Sequence, residues 1–147
     1  MAKHREVAVS QNVSWTIQKG SWLIHFVLTF LFWIVFLQAW GYSKAWQLTV
    51  ICYNLLTFFF FHWIVGDPFN TDYRGFTFWE QMAVQLGQTS TLKFMAIYPV
   101  LLFMFVSRLI DWERGLHLIA LVSLALVVVP KLGFMHLKRI LGIRRYD

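Results

Sequence analysis

The chain has 147 residues, of which 59% are hydrophobic, 19% aromatic and 14% charged, and its net charge is +6. An ordinary soluble domain has about 45–50% apolar and about 25% charged residues, so the composition excludes that class and favours a membrane protein. In a soluble protein this positive charge would suggest nucleic-acid binding. Here the cations flank apolar segments, so we expect them to contact anionic lipid headgroups and predict no nucleic-acid partner.

Two long apolar segments follow an N-terminal arm at residues 1–19. They occupy residues 20–43 and 45–66, and each is free of charged residues. A bilayer core requires about 20 apolar residues of a helix, so both segments are predicted to span a membrane.

Two shorter uncharged stretches follow, and the residues that flank them add to the length that can cross a membrane. Lys93 and Arg108 can direct their charged ends toward the headgroups, and Trp112 can lie at the interface. The predicted third and fourth spans are residues 92–110 and 114–130.

The placement of cations predicts the orientation. Basic residues are concentrated in the arm and in the tail at residues 131–147, whereas the turn after the first span contains only Lys44. Cytosolic segments carry the excess of Lys and Arg, so both ends are expected in the cytosol, together with the connection at residues 67–93. The sequence therefore predicts an all-α integral membrane protein of one domain, with four transmembrane helices and cytosolic N- and C-termini.

The residue pattern argues against catalysis. The histidines occur singly along the chain, whereas a metal site requires several ligands in one place. The four predicted spans contain no Asp or Glu, which an intramembrane aspartyl hydrolase or a proton-coupled transporter would need. We therefore predict no catalytic residue, no metal and no enzymatic activity, and we keep a small transporter or channel as a weak alternative.

The segment NLLTFFFFHWIVGDPFN places His62 in an apolar run that stops at Gly66. An ionisable group in a span is a candidate functional residue, but a neutral imidazole held by a neighbouring helix is the more common case. Gly66, Asp67 and Pro68 are typical of the end of a helix and a turn, after which Phe69 is expected to return to apolar contact. Downstream, FWEQM at residues 78–82 predicts a short interfacial helix.

Several motifs recur in a fixed order along the chain. They are Asn12 eight residues before Gly20; His62 followed by Gly66, Pro68 and Phe69; WEQM at residues 79–82 with Lys93 and Phe94; and Pro130–Leu132 followed by His136, Arg139, Gly142 and Tyr146. Together they resemble the Orm/ORMDL family of endoplasmic-reticulum membrane proteins.

The resemblance implies a non-catalytic, multi-pass protein of the endoplasmic-reticulum membrane. Family members bind the large subunits of serine palmitoyltransferase and inhibit this enzyme when ceramide is abundant. The enzyme uses pyridoxal phosphate and catalyses the first step of sphingolipid synthesis. The implied regulatory ligand is ceramide, and the chain itself is expected to carry no cofactor. Asn12 is the counterpart of the asparagine that binds the ceramide headgroup, in an arm that reaches toward the substrate channel of the enzyme.

Two interpretations stay open. Without the resemblance, Asn12 would be taken for an ordinary helix-cap or turn residue, and the whole chain could be a membrane scaffold or assembly factor that senses no lipid. For His62 we prefer a hydrogen bond that fixes the turn. The candidate partner-contact or structural residues are His62, Gly66, Pro68, Phe69, Trp79, Glu80, Gln81, Pro130 and Lys131.

Overall fold

The computed structural model describes residues 9–67 and 69–138. The helices are α1 (Gln11–Ser14), α2 (Leu23–Ala39), α3 (Tyr42–Phe58), α4 (Phe78–Leu86), α5 (Ser90–Leu109) and α6 (Arg114–Val128). Short 3-10 turns follow α1 at Trp15–Ile17 and α6 at Val129–Lys131, and a π-helical turn follows α3 at Phe59–Trp63. Further 3-10 turns lie at Thr71–Tyr73 and Gly133–Met135. In the described residues the only extended pairing is an isolated bridge between Val65 and Thr77, so the prediction of an all-helical protein is confirmed for them.

Three continuous helical segments are long and apolar enough to cross a membrane. They are Tyr42–Trp63, Ser90–Leu109 and Arg114–Lys131, with 22, 20 and 18 residues. Helix α2 is more apolar than these three but has 17 residues, which is about 25 Å at the helical rise. These lengths fit a protein that crosses a membrane several times.

Helix α2 is shorter at both ends than the uncharged segment at residues 20–43. Gly20 has a positive φ of 89°, so the chain turns before Leu23, and the helix stops at Ala39 where Trp40 becomes extended. Trp22 and Trp40 are exposed at the two ends, where the amphipathic indole suits the membrane interface. Helix α5 is longer than its uncharged stretch because it begins at Ser90 and includes Lys93.

Helix α3 forms the centre of the bundle. It packs against α2, α5 and α6, and a cluster of buried side chains lies between them. The members of this cluster are Val50, Ile51, Tyr53, Tyr98, Leu102, Val106 and Ala120. The outward faces carry large exposed apolar side chains such as Phe30, Met104 and Leu118. A soluble monomer rarely exposes so much apolar surface, whereas a bilayer solvates it.

Polar side chains inside the bundle are paired across helices. His25 Nδ1 of α2 lies 2.8 Å from the Tyr53 hydroxyl of α3, and the Thr29 hydroxyl lies 2.9 Å from that of Tyr98 on α5. Asn54 Nδ2 donates to Ser123 Oγ at 3.1 Å and links α3 to α6. Each pair satisfies groups that hydrocarbon would leave without a partner, so the pairs specify which helices pack together.

Tyr53→Phe is expected to destabilise this bundle. The substitution removes the hydroxyl that contacts His25 and leaves a buried imidazole nitrogen without that partner. We expect the free energy of unfolding in detergent to fall by about 0.6–1.7 kcal/mol, the range found for hydrogen bonds between membrane helices. Tyr42→Phe is the matched control, because Tyr42 is 50% exposed. Equal stability of the two variants would show that the Tyr53 hydroxyl contributes nothing.

Candidate functional site

The described part of the N-terminal arm, from Val9 onward, lies on α4 at one end of the bundle. Val13 of α1 is fully buried in a second apolar cluster, whose other members are Phe61, Phe78, Trp79, Met82 and Met95. Trp15 stacks on Phe78 with ring centroids 6.3 Å apart, and Trp22 stacks on Phe94 at 4.6 Å. The chain is therefore anchored by apolar contacts after Asn12 and on both sides of Thr16.

Helix α4 is held in place by its own N-terminal cap. The Thr77 hydroxyl accepts from the Glu80 N–H at 3.3 Å, and Glu80 Oε2 accepts from the Thr77 N–H at 2.9 Å. This reciprocal pair is a capping box, and it satisfies two backbone donors that the helix itself cannot. The short helix predicted at residues 78–82 is the first part of α4.

Polar contacts hold Ser10 and Asn12 of the arm against α4. Asn12 Nδ2 donates to Gln81 Oε1 at 2.9 Å, and the Ser10 N–H donates to Gln85 Oε1 at 2.9 Å. The Ser10 hydroxyl lies between Asn12 Oδ1 and Gln85 Oε1. Gln81 and Gln85 are buried and occupy adjacent turns on one face of α4. We call these four side chains, Ser10, Asn12, Gln81 and Gln85, the arm cradle.

The amide of Asn12 keeps part of its binding capacity. An Asn amide has two N–H groups and an oxygen with two lone pairs. Among the described residues, Nδ2 contacts Gln81 and Oδ1 contacts Ser10, which leaves one N–H and one lone pair for another group. Asn12 is half-buried, so a ligand can reach it from one side. This arrangement suits a ligand that offers both a donor and an acceptor.

Gly66 packs directly on the Gln81 side chain. A Cβ at position 66 would lie 2.6 Å from Gln81 Cδ and 2.7 Å from Gln81 Oε1, which no ordinary contact allows. The Gly66 N–H donates to the Phe76 carbonyl at 3.0 Å and holds the backbone there. The helix ends at Trp63 and Ile64 is already extended, so Gly66 follows the helix end by three residues. A side chain at position 66 would displace the Gln81 amide, so glycine allows the close approach of the two segments.

Trp79, Glu80 and Lys131 join α4 to the end of α6. Lys131 Nζ lies 5.3 Å from the Trp79 ring centroid and donates to the Met95 carbonyl at 2.9 Å. Glu80 Oε1 accepts from the Leu137 N–H at 2.9 Å. The segment after α6 is thus bound to the same helix as the arm, through a neighbouring residue of α4.

His62 lies inside this end of the bundle. Its ring centroid is 5.8 Å from that of Trp79, and Nε2 is buried without a hydrogen bond to any described residue. The ring centroid of Phe58 on α3 is 6.0 Å from that of His62, and the backbone of Val127 on α6 lies near the ring. His62 therefore contacts α3, α4 and α6, and the hydrogen bond that we expected to fix the turn stays a prediction.

Phe69 and Pro130 lie at the surface of the described chain. Phe69 is 93% exposed, so the apolar contact expected for it is not made within the described chain, and a partner could cover it. Pro130 lines a shallow cavity of about 300 Å³ together with Lys131 and His136. Pro68 lies outside the described residues. In the described part of the chain, no three histidine, cysteine or acidic side chains come together as metal ligands would.

The sequence model of the ORMDL family matches residues 10–139. The chain belongs to the ORMDL family. It is 35% identical over 144 residues to ORM1-like protein 2 of Homo sapiens, covering 94% of each chain. It is 32% identical to ORM1-like protein 3 of Mus musculus, again over 94% of each, and 33% identical to Protein ORM2 of Saccharomyces cerevisiae, over 92% of this chain and 65% of that one.

Two members of the arm cradle were absent from the sequence prediction. In this ORMDL chain, Ser10 and Gln85 complete the contact between the arm and α4. The spacing of Gln81 and Gln85 is one helical turn, which is the only local sign that they share a face. Their partners on the arm, Asn12 and Ser10, are 69 or more residues away in the sequence, and no sequence pattern indicates the contact.

Thr77→Ala is expected to loosen α4 and the arm together. Loss of a threonine N-cap costs about 1 kcal/mol, which corresponds to about fivefold faster amide exchange along the helix. Hydrogen exchange of the detergent-solubilised protein, followed by mass spectrometry, measures this for α4 and for the arm. Thr71→Ala is the control, since Thr71 is exposed and its side chain has no hydrogen bond in the described part. Unchanged exchange in Thr77→Ala would contradict the capping role.

Proposed function

We propose that this protein is a non-catalytic, ceramide-responsive negative regulator of serine palmitoyltransferase in the endoplasmic-reticulum membrane. The family membership supports the proposal, because the motifs that carry the resemblance include the arm and its asparagine. In this account the spans bind the membrane helices of the large subunits, and the arm controls access of the acyl substrate. Pyridoxal phosphate belongs to the partner enzyme.

The observation that carries the proposal is the position of Asn12. Its amide is half-buried at the end of the bundle, one N–H and one lone pair have no partner among the described residues, and the other two groups are fixed by the arm cradle. A ceramide headgroup offers an amide and hydroxyls. Once buried, such groups cost about 1–3 kcal/mol each if they stay unpaired, so an amide in this position can distinguish ceramide from an apolar lipid.

The path of the chain supports four crossings with both ends on one side. The arm is bound to α4 through Ser10, and the segment after α6 is bound to α4 through Leu137. Four apolar helices lie between these two attachments, so the chain leaves this end and returns to it twice. We place this end of the bundle in the cytosol, because the flanking segments of the sequence are basic.

Asn12→Ala is expected to remove the ceramide response and to leave the complex assembled. The change deletes the groups that would bind the headgroup, whereas Val13 and Trp15 still anchor the arm. We expect the ceramide concentration for half inhibition to rise about tenfold or more. The measurement is the condensation of serine with palmitoyl-CoA by the reconstituted complex, over a range of ceramide concentrations.

Gln11→Ala is the matched control for this experiment, because Gln11 is a neighbouring amide that is exposed. Unchanged ceramide inhibition in Asn12→Ala would refute the assignment of Asn12. A complex whose activity ignores ceramide even with the unaltered chain would instead favour the alternative, a membrane scaffold. A scaffold would also keep its effect on the enzyme after deletion of the residues before Ser14.

A further inference from the structure

We propose that Gly66 and Gln81 are positioning residues that set the orientation of the Asn12 amide. The inference rests on the proposed function and deepens it, because it names residues that determine how well the arm binds ceramide. Three segments that are far apart in the sequence meet here. They are the arm, the turn after α3 and the face of α4.

The side chain of Gln81 is fully buried between two other segments. It lies against Gly66 and contacts Asn12. Long polar side chains are seldom fully buried, because ordering and desolvating them is costly. Methionine would fill a similar volume without a polar group. The amide is therefore placed where its hydrogen bond to a distant segment can act on Asn12.

Gln81 also controls the orientation of the Asn12 amide. With Nδ2 held by Gln81 and Oδ1 near Ser10, rotation of the amide breaks two contacts at once. Gln81 Nε2 is buried and has no hydrogen bond to a described residue. Turning both amides over would let Gln81 Nε2 donate to Asn12 Oδ1 and Asn12 Nδ2 donate to Ser10, so Gln81 constrains Asn12 in either arrangement. A ligand then meets an amide that is already ordered, which lowers the cost of binding.

Gly66 in turn constrains Gln81. Its backbone is fixed by the bond from its N–H to the Phe76 carbonyl and by the adjacent bridge from Val65 to Thr77. A methyl group at position 66 would meet the Gln81 amide within 2.9 Å, and the amide would have to move. Gly66 thereby determines where Gln81 lies, and through Gln81 it acts on Asn12.

The test compares Gln81→Met, Gln81→Glu and Gly66→Ala in the reconstituted complex with serine palmitoyltransferase, titrated with N-stearoylsphingosine. Gln81→Met keeps the volume and removes the acceptor, so the concentration for half inhibition is expected to rise about fivefold to tenfold. Gln81→Glu keeps an acceptor oxygen for Asn12 but buries a carboxyl group, so its concentration for half inhibition is expected to rise less than that of Gln81→Met. A packing role alone would make Gln81→Met harmless, and that result would overturn the proposal.

A double variant isolates the contact between the two residues. Gly66→Ala alone is expected to weaken inhibition, whereas Gly66→Ala combined with Gln81→Ala should respond like Gln81→Ala alone, because the displaced amide is gone. Gly115→Ala is the control, since a Cβ there would meet no described atom within 4 Å. Additive effects of Gly66→Ala and Gln81→Ala would contradict the coupling.

A second readout separates this inference from the proposed function. Spin labels at Gln11 and Gln88, both exposed, report the distance between the arm and the end of α4 in the isolated protein with Cys52→Ala. Gly66→Ala and Gln81→Met are expected to broaden the distance distribution, and Gly115→Ala to leave it unchanged. If the unaltered complex ignores ceramide, the proposed function fails while broadened distances still support the positioning role. Unchanged distances in both variants overturn it.

Discussion

The buried amide of Gln81 is the constraint on which this end of the molecule depends. It occupies the space that a side chain at residue 66 would need, and it binds Asn12 at 2.9 Å. The capping box of Thr77 and Glu80 fixes the helix that carries it, and Val13 fixes the arm that it contacts. Burying a polar group costs free energy unless the group is paired. We attribute the use of a glutamine at position 81 to the order that its amide imposes on the arm.

The membrane-embedded part supplies a frame for that contact. Pairs such as His25 with Tyr53 and Asn54 with Ser123 determine which helices pack together, because hydrocarbon offers no other partner for these groups. The frame brings the end of α3, the start of α5 and the end of α6 to the same place. Helix α4 lies there between the arm and Lys131, so the two ends of the described chain meet on a single short helix.

The sequence predicts the frame well and the contacts at its end poorly. Charge-free runs reveal the apolar helices, and FWEQM indicated the short helix that begins at Phe78. The spacing of motifs also led to the correct family. The close approach of Gly66 to Gln81 is a contact between segments 15 residues apart, and it was missed because a glycine before Asp-Pro also fits a turn. The exposure of Phe69 was missed for a related reason, since an apolar residue after a turn usually returns to the core.

The most direct measurement is affinity purification of the tagged protein in mild detergent, followed by an assay of serine and palmitoyl-CoA condensation with and without ceramide. We expect condensing activity to co-purify with the chain and to fall when ceramide is added. Activity that co-purifies but ignores ceramide would contradict lipid sensing, and the absence of any associated condensing enzyme would contradict the regulatory role itself.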